Sequence, residues 1–562
     1  MLQLGIRGLG IARFKFNPLS WFAKGEQGAW YDPSDLTTLF QDSAGTLPAA
    51  LEYPVGLMLD KSKGLALGAE LVTNGTFSVD TAGPTVTGWT ANGTAPSTAA
   101  VTSGKFIVTT STGTGYGRQG QVLTLTVGAT YKITATIRVV SGTSPISFFY
   151  LGPMTGGFGA VKILNNNTTS ARSYTGFFTP TQATNYLVVG DDTVATNAVI
   201  EADNISVKQI AGNHAFQATS ANRPILSARV NLLTKTEDFS DGVWDKVGTA
   251  PTITINSILS PIGTLTANKL VFSASGTSNR INQVFGVSSL HKISLWMKGE
   301  VGGENISIWD GWNPTTGYTL TTSWQLYSIT QTTINPSAGL YLNATNGTPT
   351  IYAWGADLRP TNSGALLPAY QRVNTASDYD SVGFPLYLKA NGTSSAMSTN
   401  SIDFTSTDKM TVVTGVALKG TAEGLEIELG LGGASVGGFT FEFNAIFAGD
   451  HASQMTATSY KYTPSSSYPV KVYTDLFDRA GASVNLQIIQ RNNGVISSST
   501  VFGTALATGN FANLSINLFG RSTGLLRLEH NFYGAIIRGA QSDTASVTQT
   551  EQYMATKTGI TF

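Results

Sequence analysis

An all-β chain, divided into several antiparallel sandwiches, is the fold class predicted by these 562 residues, and three observations predict it. Only 12% of residues are charged, against about 25% in ordinary soluble proteins. Glycine occurs 61 times, with abundant Thr, Ser and Asn and 10% aromatics, a composition of short strands and tight turns. Runs such as Tyr131-Lys-Ile-Thr-Ala-Thr-Ile-Arg-Val139 alternate apolar and polar residues and are bounded by turn residues, the period of a half-buried strand. The length exceeds one hydrophobic core and points to three or four units at about 150 residues each.

Charge and cysteine content exclude several functions. Lys plus Arg and Asp plus Glu balance at 34 each, so no field draws the chain to nucleic acid or an anionic membrane, and neither partner is expected. With no cysteine, disulfide stapling and thiolate metal sites are excluded, which fits folding in a reducing cytoplasm. No apolar run approaches the roughly 18 residues of a membrane span. Met1 to Lys24 lacks the basic start, apolar core and cleavage site of a secretory signal, so release by lysis or as part of a particle is expected.

Residues 1–27 place Phe14, Phe16, Trp21 and Phe22 among Arg7, Arg13, Lys15 and Lys24. Such an arm either docks onto a partner, with Trp21 and Phe22 as the anchoring aromatics, or covers the edge of the following domain. From Asp32 the pattern predicts a helix of about two turns: Pro33 suits its first position, and Leu36, Leu39 and Phe40 share a face. Val55, Leu57 and Leu59 then alternate as a strand leading to Asp60-Lys-Ser-Lys-Gly64.

Residues 67–210 and 229–360 share one grammar. The first opens with Glu70-Leu-Val-Thr-Asn-Gly-Thr-Phe77 and Trp89 and closes with Val199 to Lys208; the second opens with Asn231 to Phe239 and Trp244 and closes with Thr350 to Arg359. Two divergent copies of one module is the economical reading. Residues 368–562 continue with strands at Met410–Val416, Leu425–Leu429, Val484–Ile489 and Leu525–Leu528, and a helix over about 545–556 begun by Asp543 and ended by Gly559.

On these motifs both repeats resemble carbohydrate-binding-module-type jelly rolls, with an "NG-F … W" opening and an acidic residue before an apolar pair in the last strand. The final stretch, with Gly534 to Ala540 and Lys557 to Gly559, resembles the concanavalin-like, laminin-G-like domains of bacteriophage virion proteins. The family's opening pieces stand here in order but far apart, at Trp30 to Lys63, Gly212 to Pro224 and Leu388 to Gly392. The resemblance therefore implies a discontinuous concanavalin-like host sandwich, 28–66 plus 211–228 plus 361–562, carrying two inserted sandwiches at 67–210 and 229–360. A sandwich whose first and last strands are neighbours can be inserted at a loop tip without pulling its host apart.

Glu426 and Glu428 alternate on one predicted strand and invite comparison with paired catalytic carboxylates, but Leu429-Gly-Leu-Gly follows where a third acid is needed, so a solvent-facing strand is expected. His214, His291, His451 and His530 are scattered singly, without a metal-binding or nucleophile-elbow motif. Sugar binding needs aromatic faces beside amide or carboxylate groups, and Trp309-Asp-Gly-Trp312-Asn-Pro-Thr-Thr-Gly-Tyr318 is the densest stretch with turn residues. Trp309, Trp312 and Tyr318 are the carbohydrate-binding candidates, with Tyr150 and Phe158 weaker ones; Trp89, Trp244 and Trp296 read as core. The jelly-roll resemblance further implies a structural Ca2+ held by Glu70 and Asp203, with a looser match at Glu237 and Asp357. What it implies as a whole is a non-enzymatic virion protein of fibre, spike or decoration type, bound to other virion proteins through its arm, displayed as a homo-oligomer such as a trimer, and binding host-surface glycans. The alternatives are a polysaccharide-degrading enzyme and a scaffold contacting virion proteins alone.

Overall fold

The computed structural model describes residues 16–562 apart from 81–83, 114, 116, 143–146, 153–160, 167–168, 192–194, 286–289, 333–337, 361–366, 420–421, 432–435, 444, 446–449 and 465–469. The chain is all-β, built of antiparallel sheets packed as sandwiches.

Strands from distant parts of the sequence share the two largest sheets. One runs Ile225–Ser227, Tyr387–Asn391, Glu529–Arg538, Lys409–Leu418, Val470–Asp478, Ile488–Asn492, Val495–Ile496, with Gly28–Tyr31 also paired to Glu529–Arg538. The facing sheet begins Leu39–Phe40, Leu57–Met58, Ala215–Phe216, Met397–Asp403 and continues through Asn513–Leu518, Gly424–Leu429 and Phe439–Phe443 to Thr500–Phe502. Between them lies one core to which Tyr31, Met58, Ala215, Leu226, Leu388, Phe441 and Phe532 all contribute. Burial of such a shared core is what holds segments 150 and more residues apart in one body.

Residues 67–210 and 229–360 form two further sandwiches with separate cores, one around Phe77, Trp89 and Phe106 and one around Phe239, Trp244 and Phe272. In the first, Leu67–Glu70 pairs with Val199–Ile210, Glu70 opposite Lys208, so the chain enters and leaves side by side. In the second, Leu232 N–H donates to Leu358 O at 2.8 Å, and the Asn231 side chain bonds both Ala356 O and Leu358 N–H.

Three local expectations change. The segment after Asp32 holds a short 3₁₀ turn, Leu36–Thr38, capped by Asp35; Leu39 and Phe40 are already strand. Asp32 is taken instead by Lys61 and Lys557, at 3.1 and 3.0 Å, and is buried. Ser483 caps a helical turn over Val484–Gln487, so the strand expected there begins only at Ile488. Leu526, at φ 52°, breaks the extended run expected at Leu525–Leu528. The C-terminal helix, Thr544–Thr558, has Asp543 accepting from Ser546 N–H as its N-cap and Gly559 in the left-handed conformation as its C-cap, the preferred residues at both ends. Its buried face carries Glu551, which forms two bonds with Arg491 at 2.8 and 2.9 Å.

Candidate carbohydrate-binding face

The second module's outer sheet runs Asp245–Val247, Arg280–Val284, Gly339–Ala344, Asn305–Trp309, Thr316–Thr319. Alternation sends Ile281, Leu340, Leu342, Ile306 and Ile308 into the core, and therefore the residues between them outward. Register aligns Asp245 with Asn282, Asn282 with Tyr341, and Tyr341 with Trp309, one row across four strands.

The row combines two kinds of contact. The Trp309 and Tyr341 rings lie 4.9 Å apart at 46°, and the Arg280 guanidinium stands 5.3 Å from the Tyr341 ring. Arg280 Nε donates to Asn282 Oδ1 at 3.0 Å, and Asn282 Nδ2 to Asp245 Oδ2 at 3.1 Å. Burial pushes the Tyr341 hydroxyl pKa above its ordinary value; Arg280 opposes this, while Asp245 and Asp310 add to it. Tyr341 is 6% exposed and Asn282 3%, so the groups of this row that reach solvent are Asp245 and, in part, Arg280 and Trp309, an aromatic edge beside polar groups of the kind that sugar binding uses.

The following loop completes the rim. The buried Asp310 carboxylate accepts from the N–H of Trp312 and Asn313, at 2.9 and 2.7 Å, and from Asn313 Nδ2 at 2.7 Å, an Asx turn. Gly311 sits at φ +87°, where a Cβ would run into the Tyr341 ring; glycine alone lets the loop lie over that ring. Trp312 projects from it, 69% exposed.

Trp309 and Trp312 thus bracket this face, but Tyr318 does not join them. It pairs opposite the core residue Ile306, its ring is 4.9 Å from Tyr327 of the other sheet, and its hydroxyl donates to Ser328 O at 3.0 Å. The hairpin register turns it inward. Tyr341 and Asn282, which complete the row, were absent from the sequence expectation: each sits among apolar neighbours in a short strand, and the readable signal was their alternation with Leu340, Leu342 and Ile281. Trp89 and Trp244 are buried as expected, whereas Trp296 is half-buried. In the first module Tyr150 pairs opposite Val188 in the corresponding sheet; Phe158 lies outside the described residues.

Glu70 and Asp203 are not brought together. Glu70 aligns with Lys208 and Asp203 with Thr136, about five residues or roughly 16 Å apart along the same long strand. Glu70 accepts from Ser206 Oγ at 2.6 Å and Val207 N–H at 2.9 Å. Asp357 is held by Arg359 and Gln371 N–H, and Glu237 accepts from Tyr370 Oη at 3.1 Å. Among the described residues no group of three or more His, Cys, Asp or Glu side chains stands together.

Trp21 and Phe22, expected as docking aromatics, cover the edge of their own domain. Trp21 is 8% exposed in a cluster with Trp30, Tyr533 and Ile536, with Phe22 packed against it. Arg538 stands 5.0 Å over the Trp21 ring and pairs with Glu26. A ring held this way is not offered to a partner.

Glu426 and Glu428 are both fully buried, not solvent-facing. A bulge between Leu425 and Ile427 breaks the alternation. Glu426 meets His530 Nε2 at 2.6 Å and Thr414 Oγ1 at 3.2 Å, both on the opposite sheet, while Glu428 accepts from Arg521 Nη2 at 2.7 Å. Ser453, His451 and Asp475 also meet: Ser453 Oγ donates to Asp475 and stands 3.4 Å from His451 Nε2, and all three side chains are buried, which leaves the hydroxyl enclosed away from any substrate.

The chain is thus built of several sandwiches, the second carrying a row of amide and aromatic side chains with the exposed Trp312 at its rim. Residues 69–189 match the family model described as a carbohydrate binding domain. Among solved structures, the tandem CBM22 domain of Paenibacillus barcinonensis Xyn10C is 14% identical, with 53% of this chain and 99% of that one covered and a TM-score of 0.24. A structure described as "CBM4 structure and function" is 18% identical over 25% and 99%, TM-score 0.18. Trypanosoma rangeli sialidase with 2,3-difluorosialic acid is 8% identical over 82% and 83%, TM-score 0.21. No curated protein matches the chain. The family match supports a carbohydrate-binding-module-like jelly roll in the first module.

Proposed function

We propose that this chain is a non-enzymatic bacteriophage virion protein, of fibre, spike or decoration type, that holds host-surface glycans on its inserted modules. The carrying observation is Trp312, 69% exposed beside the part-exposed Trp309 and the exposed Asp245, on a row completed by the buried Tyr341 and Asn282. The match of residues 69–189 to a carbohydrate binding domain supports the glycan reading; the virion assignment rests on the laminin-G-like resemblance. Each face binds weakly, and several copies on one particle raise avidity. Attachment to the particle falls to surfaces other than Trp21 and Phe22. A glycan array probed with the full chain tests this. Binding that falls about tenfold in Trp312→Ala, with unchanged thermal stability, is expected. No binding to any glycan would favour a scaffold that contacts only other virion proteins.

One observation favours a degrading enzyme as second reading. Glu428 and Glu442 lie on adjacent strands; burial raises both carboxyl pKa values, against the pull of Arg521, and at Glu442 the charges of Glu423, Asp450 and Glu428 add to the rise, to about 8. Release of oligosaccharide from host capsule, lost in both Glu428→Gln and Glu442→Gln, would establish that reading and end the non-enzymatic one.

A further inference from the structure

The outer face of the sheet carrying Tyr387–Asn391 and Glu529–Arg538 and the base of the second module enclose a cavity of about 380 Å³. That is the small end of the roughly 300–1,000 Å³ of ligand clefts. Its floor is the nearly buried pair Tyr387 and Tyr533, rings 5.3 Å apart.

Four cations line it: Arg229, Arg359, Lys389 and Lys419. Arg229 spends its hydrogen bonds on the carbonyls of Asn231, Leu232 and Leu233, and the Glu52 charge acts on it from nearby. Lys389 stands opposite Asn531 in the sheet, and Lys419 directly follows the neighbouring strand. Lys419 keeps solvent contact as a residue, yet desolvation, with the Lys389 charge beside it, draws its ammonium down to about 8 while Glu529 partly opposes. Of the other charged lining groups, Glu52 accepts from Ser227 Oγ and Tyr379 Oη, both at 2.6 Å, Arg359 is paired with Asp357, and Glu529 sets a carboxylate beside Lys419. Lys389 and Lys419, on the two sides of the Glu529–Arg538 strand, rim the aromatic floor and leave a place for an anion attached to a ring. A bare phosphate would satisfy the lysines but leave the apolar wall at Leu367, Pro385 and Val470 unfilled.

We infer that this cavity binds an acidic saccharide, its carboxylate between Lys389 and Lys419 and its ring over the Tyr387–Tyr533 floor. The inference deepens the glycan-binding reading and rests on it, but its site is separate from the Trp309 face. Binding depends on charged Lys419, with Lys389 and Glu529 acting on it and Glu52, Arg229 and Arg359 lining the same cavity; affinity is therefore expected to fall as pH rises through about 8.

Calorimetric titration of the full chain with a glucuronate-containing disaccharide, its neutral counterpart and inorganic phosphate tests this. The acidic disaccharide alone binds; Lys389→Ala with Lys419→Ala weakens it at least tenfold, and Lys419→Gln removes the decline near pH 8. Unchanged affinity in the lysine variants, a pH profile that Lys419→Gln leaves intact, or phosphate binding as tightly as the disaccharide would each overturn the site. Loss of binding in Trp312→Ala alone would move the ligand to the module face, sinking this inference while leaving the glycan reading standing; no binding by either sugar, here or on the array, would sink both.

Discussion

Asp60 Oδ2 accepts a hydrogen bond of 2.7 Å from the backbone N–H of Asn213, 153 positions further along the chain. The same carboxylate accepts from Trp30 N–H and Ser62 N–H, each at 2.7 Å, so one buried side chain ties three segments together. Asn213 answers through its own amide, donating to Gly28 O at 2.7 Å, and Tyr31 Oη donates to Asn213 O at 2.6 Å. Asp60→Ala leaves several buried N–H groups unmet, each costing about 1–3 kcal/mol. A loss of at least about 3 kcal/mol is expected in urea unfolding, and a loss below 1 would refute the role. Gly212, at φ +136°, leaves no room for a Cβ beside Asp60 O and the His214 ring, so Gly212→Ala is expected to destabilise in the same direction.

His214 makes this knot sensitive to acid. Its Nδ1 accepts from Asp60 N–H at 2.9 Å, which requires the neutral ring, and burial lowers its pKa from 6.5 to about 4, opposed by the Ile210 carbonyl. The unfolded chain takes up the proton first as pH falls. The stabilisation is therefore complete above pH 6.5 and is lost between 6.5 and about 4, a change on the order of 3 kcal/mol. His214→Gln should flatten that part of the stability profile. An unaltered slope would mean that the ring titrates normally.

Glu442 acts in the opposite sense. Burial first, then the charges of Glu423, Asp450 and Glu428, raise its carboxyl from 4.5 to about 8, against the pull of Arg521. The folded state keeps the proton that the unfolded chain releases, so stability declines from pH 4.5 to about 8. Glu442→Gln should be the more stable protein at pH 8 by a few kcal/mol, at about 1.4 kcal/mol per pKa unit, and close to wild type near pH 5. Equal denaturation midpoints at pH 8 would show the carboxyl ionised at no cost.

Trp21 tests the arm. With its ring buried under Arg538, Trp21→Ala should cost about 3 kcal/mol of stability, in the range of large-to-small core changes. A variant of unchanged stability that no longer joins particles would restore the docking reading.

The all-β class was legible from composition and alternation, because strand period and turn residues are local properties. So was the last helix, since Asp543 and Gly559 carry its ends in their own chemistry. The direction of Glu426 was not: a single bulge beside it reverses the face that alternation assigns, and bulges leave no mark in side-chain pattern. Tyr318 failed for a related reason, since the length of one hairpin decides whether a ring at that spacing meets Trp309 or Tyr327. Tyr341 lay open to discovery by alternation, but one aromatic between two leucines looks like core until its strand partners are known. Trp21 could be read either way until Arg538, 517 residues later, was seen to lie over it.

The paired first and last strands of the modules have a mechanical consequence. A pull on the second module loads Leu232 and Leu358 at once, two tethers a hydrogen bond apart, so tension divides between them and enters the broad sheet without a lever arm. Torque that would spin a singly tethered bead is resisted by the spacing of the two strands. The module is therefore held as a stiff anchor rather than on a loose leash.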